Sequence, residues 1–510
     1  MFFILKFSSK SFGLLVALIV SITATICMSS PSYSSDLHLL SNRLHQFRLD
    51  NGLKVLIFKR DGIKQFSAHI VYNVGSVDEE NGYSGLAHLL EHMMFKGTKT
   101  VGSLNWAAES SLYQSTKKLG LKLDQAISLK KDPKLIEQIK EELRLAERAQ
   151  SKFFSSEIYS EIYSAAGGVG FNAGTSKDHT NYIVRLPSNR LELWAFIESQ
   201  RFNEIVLRDF YRERDVVLEE RKTRYENSQD GKLYESFLSL AYSAHPYFRP
   251  IIGWESDIKS LPLSKLEEFI DQWYRPNNCT IVITGNVDIN QTEKIIRKYF
   301  SQLEAKELPS RNYSIEPPQA GYKKTTVRMA AANPALMLGF HKPSSPSRDD
   351  YIFDLIHELL SGSSSSRLVK RLKLDQEIAS TIATFGAPAS RYPNLFVVSA
   401  KPKGEHTLEE LEDSILHELT ALQVELISDD ELVRAKKKIE VSFIMNLKSH
   451  YSMSRNLAFF ELITGSASNL FRYVDEINSI TKEEIQAAAR QYFQRDQMSV
   501  AYIKRKDAKK

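Results

Sequence analysis

Two stretches of this chain, 219 residues apart, carry the same pattern in an ungapped register. Ile258, Ser260, Leu261, Leu266, Trp273, Tyr274 and Ile281 recur as Ile477, Ser479, Ile480, Ile485, Tyr492, Phe493 and Val500. Each copy reads as a capped amphipathic helix that closes on aromatics, followed by an apolar strand: Thr280 to Thr284 in the first, Ser499 to Ile503 in the second. A constant offset over seven positions indicates duplication, and 510 residues leave room for two units of about 220 residues. The expected fold class is α+β: two tandem duplicated domains, each a mostly antiparallel sheet flanked by helices.

The chain divides around this repeat. Pro309, Pro317 and Pro318 deny regular structure between the copies, so residues 301–323 read as a linker between domains 36–300 and 324–510. The first domain opens on a hairpin, with Asp50-Asn51-Gly52 turning between two apolar runs. A strand is expected over Ser67 to Val74, and a helical pattern from Ser84. Residues 102–164 have no counterpart in the second half. They are helical and rich in charge, and read as an inserted helical hairpin on the surface, with a recognition element as the other reading. Asp132-Pro133 is a strong helix start, and Leu135, Ile136, Ile139, Leu143, Ala146 and Ala149 form one stripe. The pattern predicts a single helix from Pro133 to Tyr159, roughly 40 Å long.

Composition narrows the class. The hydrophobic fraction of 42% and charged fraction of 25% suit a globular chain, and a net charge of +5 with interspersed signs offers no nucleic-acid surface. Lys6 and Lys10 precede an apolar run from Phe12 to Ile26, too short for the roughly 20 residues of a bilayer span. Ser29 to Ser35 follow it, so residues 1–35 read as a secretory signal peptide, and the mature chain as periplasmic. If the segment stays uncleaved it would be a membrane anchor, the only membrane contact expected. Cleavage would leave Cys279 alone, with nothing to pair within the chain.

Chemistry concentrates in His88-Leu-Leu-Glu91-His92. On a helix, residues four apart share a face, so His88 and His92 can aim two imidazoles at one metal ion. Glu91 flanks that face and can reach a water rather than the metal. The other reading is a solvated histidine pair. A catalytic zinc takes a third protein ligand and keeps one position open. Glu213 and Glu220, seven residues apart, share one helical face, and one could bind the metal while the other supports a ligand. A charged surface helix is the alternative, against which Val216, Val217 and Leu218 argue for partial burial.

With these residues in view the chain resembles the pitrilysin/insulinase superfamily of inverted-zincin metallopeptidases, in its two-domain class with mitochondrial processing peptidase and bacterial processing proteases. The resemblance rests on Gly85 to Thr98, Gly170 to Asp178, Leu186 to Leu193, Glu213 to Arg221, Trp273 to Asn278 and Ser366 to Leu368. It implies a zinc metalloendopeptidase in which His88, His92 and Glu220 hold Zn²⁺, Glu91 is the general base, and Glu213 supports a ligand. It places Asn172 and Ala173 on the sheet edge that pairs with an extended peptide substrate. The alternative is a non-catalytic core or assembly subunit of the same fold, a class whose members lose parts of the metal set.

One departure stands out. Active single-chain relatives carry an Arg and a Tyr, seven apart, beyond the Ser-Arg-Leu segment, where they clamp the substrate. Here those positions fall on Lys373 and Ser380. Lysine lacks the planar guanidinium fork, and serine lacks the reach of a phenol. The resemblance therefore implies a heterodimer with a homologous subunit that supplies the Arg/Tyr clamp, unless Arg367 or Arg371 has taken over the role.

Overall fold

A computed structural model of the chain describes residues 37, 39–330 and 332–506. The signal segment expected over residues 1–35 lies outside the described residues. Among the described residues no helix is long and apolar enough to cross a membrane.

Two sheets organise the molecule. The first contains β1 (Leu44–Arg48), β2 (Lys54–Lys59), β3 (Gln65–Tyr72), β4 (Val169–Thr175), β5 (Thr180–Pro187) and β6 (Cys279–Gly285), in the order β1-β2-β6-β3-β5-β4. The second contains β7 (Lys323–Met329), β8 (Ala335–Lys342), β9 (Ala379–Ala387), β10 (Asn394–Pro402) and β11 (Met498–Arg505), in the order β7-β11-β8-β10-β9. Without β1, the two orders match strand for strand. Even the single parallel pair recurs, β2 with β6 and β7 with β11, all other neighbours being antiparallel. The chain is thus a duplicated α+β protein. Its most buried strand, β6, is buried at every residue, including the unpaired Cys279. That is why it reads as an apolar run rather than an alternation.

Helices of the first half are α1 (Leu86–Met93), α2 (Trp106–Ser128), α3 (Pro133–Gln150), α4 (Ile158–Ala165), α5 (Leu191–Asn203), α6 (Phe210–Arg221), α7 (Gln229–Ala241), α8 (Glu255–Ser260), α9 (Leu263–Trp273) and α10 (Ile289–Phe300). The second half has α11 (Arg348–Ser361), α12 (Leu408–Val424), α13 (Asp429–Asn446), α14 (His450–Thr464), α15 (Tyr473–Ser479) and α16 (Lys482–Tyr492). Each half lends a helix to the other's sheet. Met453, Leu457, Ala458 and Phe460 of α14 cover Leu56, Phe58, Val71 and Val282 of the first sheet. Leu233, Phe237, Leu238 and Ala241 of α7 cover Met337, Leu395, Val397, Ala501 and Ile503 of the second. A Cβ on Gly339 would come within 2.8 Å of the Phe237 ring, so the bare backbone of β8 makes room for α7.

The segment between α10 and β7 contains no helix or strand but is tied down. Arg311 donates to Asp78 Oδ1 at 2.8 Å, and Glu316 accepts from the amides of Ser243, Ala244 and His245 at 2.7–2.9 Å. Asp178 joins the halves directly, accepting from Tyr247 Oη at 2.6 Å and from the amides of Ser390 and Arg391 at 3.1 and 3.0 Å.

The step from β3 to β4, Tyr72 to Val169, is far longer than its counterpart, Lys342 to Ala379, and the surplus is the helical insertion. Asn105 caps α2 through the amide of Ala108, and Asp132 caps α3 with Pro133 in its first turn. The single helix expected to reach Tyr159 does not form. α3 stops at Gln150, a 3₁₀ turn covers Ser151–Phe153, Phe154 bridges to Ser103, and α4 starts at Ile158. Gln150, the last residue of α3, is buried and its side-chain amide donates to Glu109 Oε1 of α2 at 3.1 Å, and no Pro or Gly stands at this end of the helix. The hairpin is docked, not loosely laid on. Arg208 and Glu109, both fully buried, form an ion pair beneath it.

Candidate active site

α1 carries the His-x-x-Glu-His segment. Its start has no side-chain cap of its own. Instead the buried Glu79 carboxylate accepts from the amides of Gly85 and Ala87 at 3.0 and 2.8 Å. Gly85 sits at φ +91°, and a Cβ there would lie 2.2 Å from the Ile252 carbonyl oxygen. Leu86, Ala87, Leu89, Leu90 and Met93 are buried in the core, which leaves His88, Glu91 and His92 to share the remaining face. α6 packs against α1 and presents Glu213 and Glu220 on one side. Val217 is fully buried, whereas Val216 is 43% exposed, so only part of the apolar trio anchors the helix.

Three side chains converge. Nε2 of His92 lies 3.3 Å from Glu220 Oε2, Nε2 of His88 lies 3.7 Å from the same oxygen, and the three candidate donor atoms fall within 4.8 Å of one another. For a tetrahedral zinc with ligands at ~2.1 Å, neighbouring ligand atoms sit about 3.4 Å apart. Two imidazoles, once deprotonated at Nε2, and a carboxylate at this spacing suit zinc in both chemistry and size.

The surrounding contacts orient these groups. Nδ1 of His92 faces Glu213 Oε2 at 3.3 Å, so its Nε2 is turned toward Glu220. The ammonium of Lys96 binds the other Glu213 oxygen in a short contact. Glu220 Oε1 is held by Arg224 Nε at 2.8 Å, from the π-helical turn Lys222–Glu226 that follows α6. Glu91 stands beside the cluster, and its Oε2 accepts from the Thr175 hydroxyl at 2.6 Å. Asn172 and Ala173 lie in β4, which among the described residues pairs only with β5 and leaves its outer edge open. A cavity of about 270 Å³ opens here, lined by Glu91, His92, Phe95, Phe171 and Asn172 among others. A larger one of about 800 Å³ lies under the insertion, on the side of α6 lined by Arg212, Asp215 and Leu218, away from the histidines.

The charges follow from burial and neighbours. Burial lowers the pKa of His88, and His92 lowers it further. Burial would lower His92 too, but Glu213 and Glu220 outweigh it and hold it at about 9 without a metal. Glu220 is pulled down, first by its contact with His92. Burial raises Glu91, with the Thr175 hydroxyl acting against it.

Of the positions expected for the clamp, Lys373 lies exposed in the π-helical turn Val369–Asp375, and Ser380 in β9 donates to the Lys401 carbonyl at 3.1 Å. The alternatives are engaged elsewhere. Arg367 binds both oxygens of Glu431 at 2.9 and 3.0 Å, and Arg371 binds Glu418 at 2.5 Å. Lys96, Thr175 and Arg224 escaped the sequence reading. No periodicity marks them, although Lys96 and Thr175 fall inside segments that carry the family resemblance.

Comparison with known proteins gives the family and the fold. Residues 54–129 match the description "Insulinase (Peptidase family M16)", and residues 260–439 match "Peptidase M16 inactive domain". Zinc protease PqqE of Helicobacter pylori is 26% identical over 466 residues, covering 89% of this chain and 91% of that protein. The uncharacterized zinc protease YmxG of Bacillus subtilis is 24% identical over 454 residues, covering 89% and 96%. Among solved structures, a Helicobacter pylori protease superposes with a TM-score of 0.77 at 24% identity, covering 90% of this chain and 99% of that one. The periplasmic protease PqqL of Escherichia coli superposes with a TM-score of 0.68 at 18% identity, covering 90% of this chain but 47% of that one. The chain belongs to peptidase family M16, the pitrilysin/insulinase family of metallopeptidases.

Proposed function

We propose that this chain is a zinc-dependent endopeptidase acting on peptides or unfolded polypeptides, with zinc held by His88, His92 and Glu220. The observation that carries this reading is the convergence of three donor atoms at ligand spacing with the Glu91 carboxylate beside them. When bound, zinc supplies Lewis acidity toward water and the scissile carbonyl. Glu91 takes a proton from the attacking water and passes it to the leaving amine. Glu213, braced by Lys96, keeps His92 in the orientation that presents Nε2. The open edge of β4, with Asn172 and Ala173, receives an extended peptide through main-chain hydrogen bonds, which tolerates many sequences. The names of the zinc-protease relatives support the metal. A non-catalytic subunit of the same fold would have no need to keep all five side chains together.

The first domain, residues 36–300, carries this chemistry. The second, residues 324–510, has no metal motif, and residues 301–323 link the two. Lys373 and Ser380 are poor clamps, and both candidate arginines are tied to acids of their own domain. A homologous subunit that contributes an Arg and a Tyr across the cleft would complete the site. The Escherichia coli relative, about twice this length, supports a facing second unit. The periplasm is the proposed location, consistent with the N-terminal signal pattern and with that relative's description as periplasmic.

Two measurements test the function. The purified chain should hold one zinc, most of which His88→Ala loses. Glu91→Gln should keep zinc and lose peptide cleavage by about 10²-fold or more. Stoichiometric zinc in His88→Ala, or near-normal turnover in Glu91→Gln, ends the assignment.

A further inference from the structure

Glu91 is held from a direction that neither the metal nor α1 supplies. Its Oε2 accepts from the hydroxyl of Thr175 at 2.6 Å. Thr175 is the last residue of β4, paired with Thr180 of β5. The chain just beyond it cannot drift. The Ser176 amide donates to the His179 carbonyl at 2.8 Å, and the Ser176 and Lys177 carbonyls accept from the amides of Ser76 and Val77 at 3.1 and 3.0 Å. A Cβ on Gly75 would lie 2.4 Å from the Lys177 carbonyl oxygen, which shows how closely the two loops pack.

Glu91 has three rotatable side-chain bonds and is only half-buried, so α1 alone leaves its carboxylate several positions. A short hydrogen bond from a hydroxyl to a carboxylate is among the stronger polar contacts and selects one of them. We propose that Thr175 is a positioning residue that registers the Glu91 base to β4, and so to a peptide added along that strand's open edge. The base is then aligned with the substrate backbone as well as with the metal. This inference rests on Glu91 being the base. The threonine acts through geometry and touches neither zinc nor substrate.

The test compares Thr175→Val, which keeps the shape and loses the hydroxyl, with Thr175→Ser, which keeps the hydroxyl. In the zinc-loaded full-length protein, with its partner if one is needed, Thr175→Val should lower kcat about tenfold or more at nearly unchanged KM and zinc content. Thr175→Ser should restore most of that loss. Equal loss in both variants, or a loss confined to KM or zinc content, overturns the proposal. A second readout does not depend on activity. A crystal structure of zinc-loaded Thr175→Val should have the Glu91 carboxylate displaced while His88, His92 and Glu220 stay in place. An unmoved Glu91 overturns the proposal whether or not the chain proves to be a peptidase, whereas failure of Glu91→Gln to affect turnover removes the base itself and the inference with it, a result that the Thr175 variants alone would not give.

Discussion

A histidine that binds zinc through one ring nitrogen is normally fixed through the other, and in the proposed site Glu213, itself held by Lys96, would fix His92 in this way. Lys96 does two jobs at once: its ammonium offsets the cost of burying Glu213, and it steers that carboxylate toward the imidazole. Lys96→Met keeps the aliphatic stem and removes the charge. Zinc affinity, measured by competition with a chelator, should fall about 10- to 100-fold, with the fold intact by circular dichroism. An unchanged zinc Kd would mean that Glu213 needs no brace. The residue roles were only partly legible beforehand. Spacing alone put Glu213 and Glu220 on one face and left open which one meets Nε2 of both histidines and which one meets Nδ1 of His92. The answer depends on how α6 crosses α1, and local sequence does not encode that crossing.

The insertion behaves as a docked unit. Arg208, just ahead of α6, sends its guanidinium to Glu109 of α2 and to the carbonyls of Lys96 and Thr98. Removing one member of a fully buried ion pair strands the other. Glu109→Ala should therefore cost about 3–5 kcal/mol in urea unfolding, and Glu109→Gln, which keeps one acceptor, should cost less. Equal and small losses in both would place the hairpin outside the cooperative unit. Gly120 in α2 offers a second check. A Cβ there would come within 2.3 Å of the Tyr211 ring, whose hydroxyl donates to Asp124 at 2.7 Å. Gly120→Ala gains helix propensity but overpacks this contact, and a net loss of about 1–3 kcal/mol is expected by the same measurement.

The two halves stabilise each other through exchanged helices, and this carries a pH signature. His69 of β3 is 3% exposed, against Tyr451 and Arg455 of α14, with a ring separation of 5.6 Å from Tyr451. Burial, aided by Arg455, pushes its pKa from 6.5 down to about 3. The unfolded chain thus binds a proton that the folded chain refuses between pH 6.5 and 3. Stability is full above 6.5 and falls as pH drops through that window, by about 1.4 kcal/mol per pH unit from this group. His69→Gln should flatten that slope in a pH series of urea unfolding. A slope that His69→Gln leaves unaltered would show that His69 titrates alike in the folded and unfolded chains. At the same scale, adding a homologous partner should raise kcat or lower KM for peptide cleavage. If the isolated chain already works at full rate and the partner changes neither, the split-site idea is wrong.

Local patterns carried much of this protein. The Asn51-Gly52 turn, the i, i+4 histidines, the Asp132-Pro133 helix start and the duplicated helix-strand pairs all reflect short-range geometry, in which spacing along the chain fixes which side chains share a face. The same logic marked residues 102–164 as extra, because the duplication left them without a counterpart. Tertiary packing decided the rest. Gln150 at the end of α3 meets Glu109 of α2, α7 and α14 cross to cover the opposite sheets, and Thr175 finds Glu91 across 84 positions of sequence. These contacts join residues whose nearness depends on how whole elements pack, and a periodic pattern records only which face is buried, not what it is buried against.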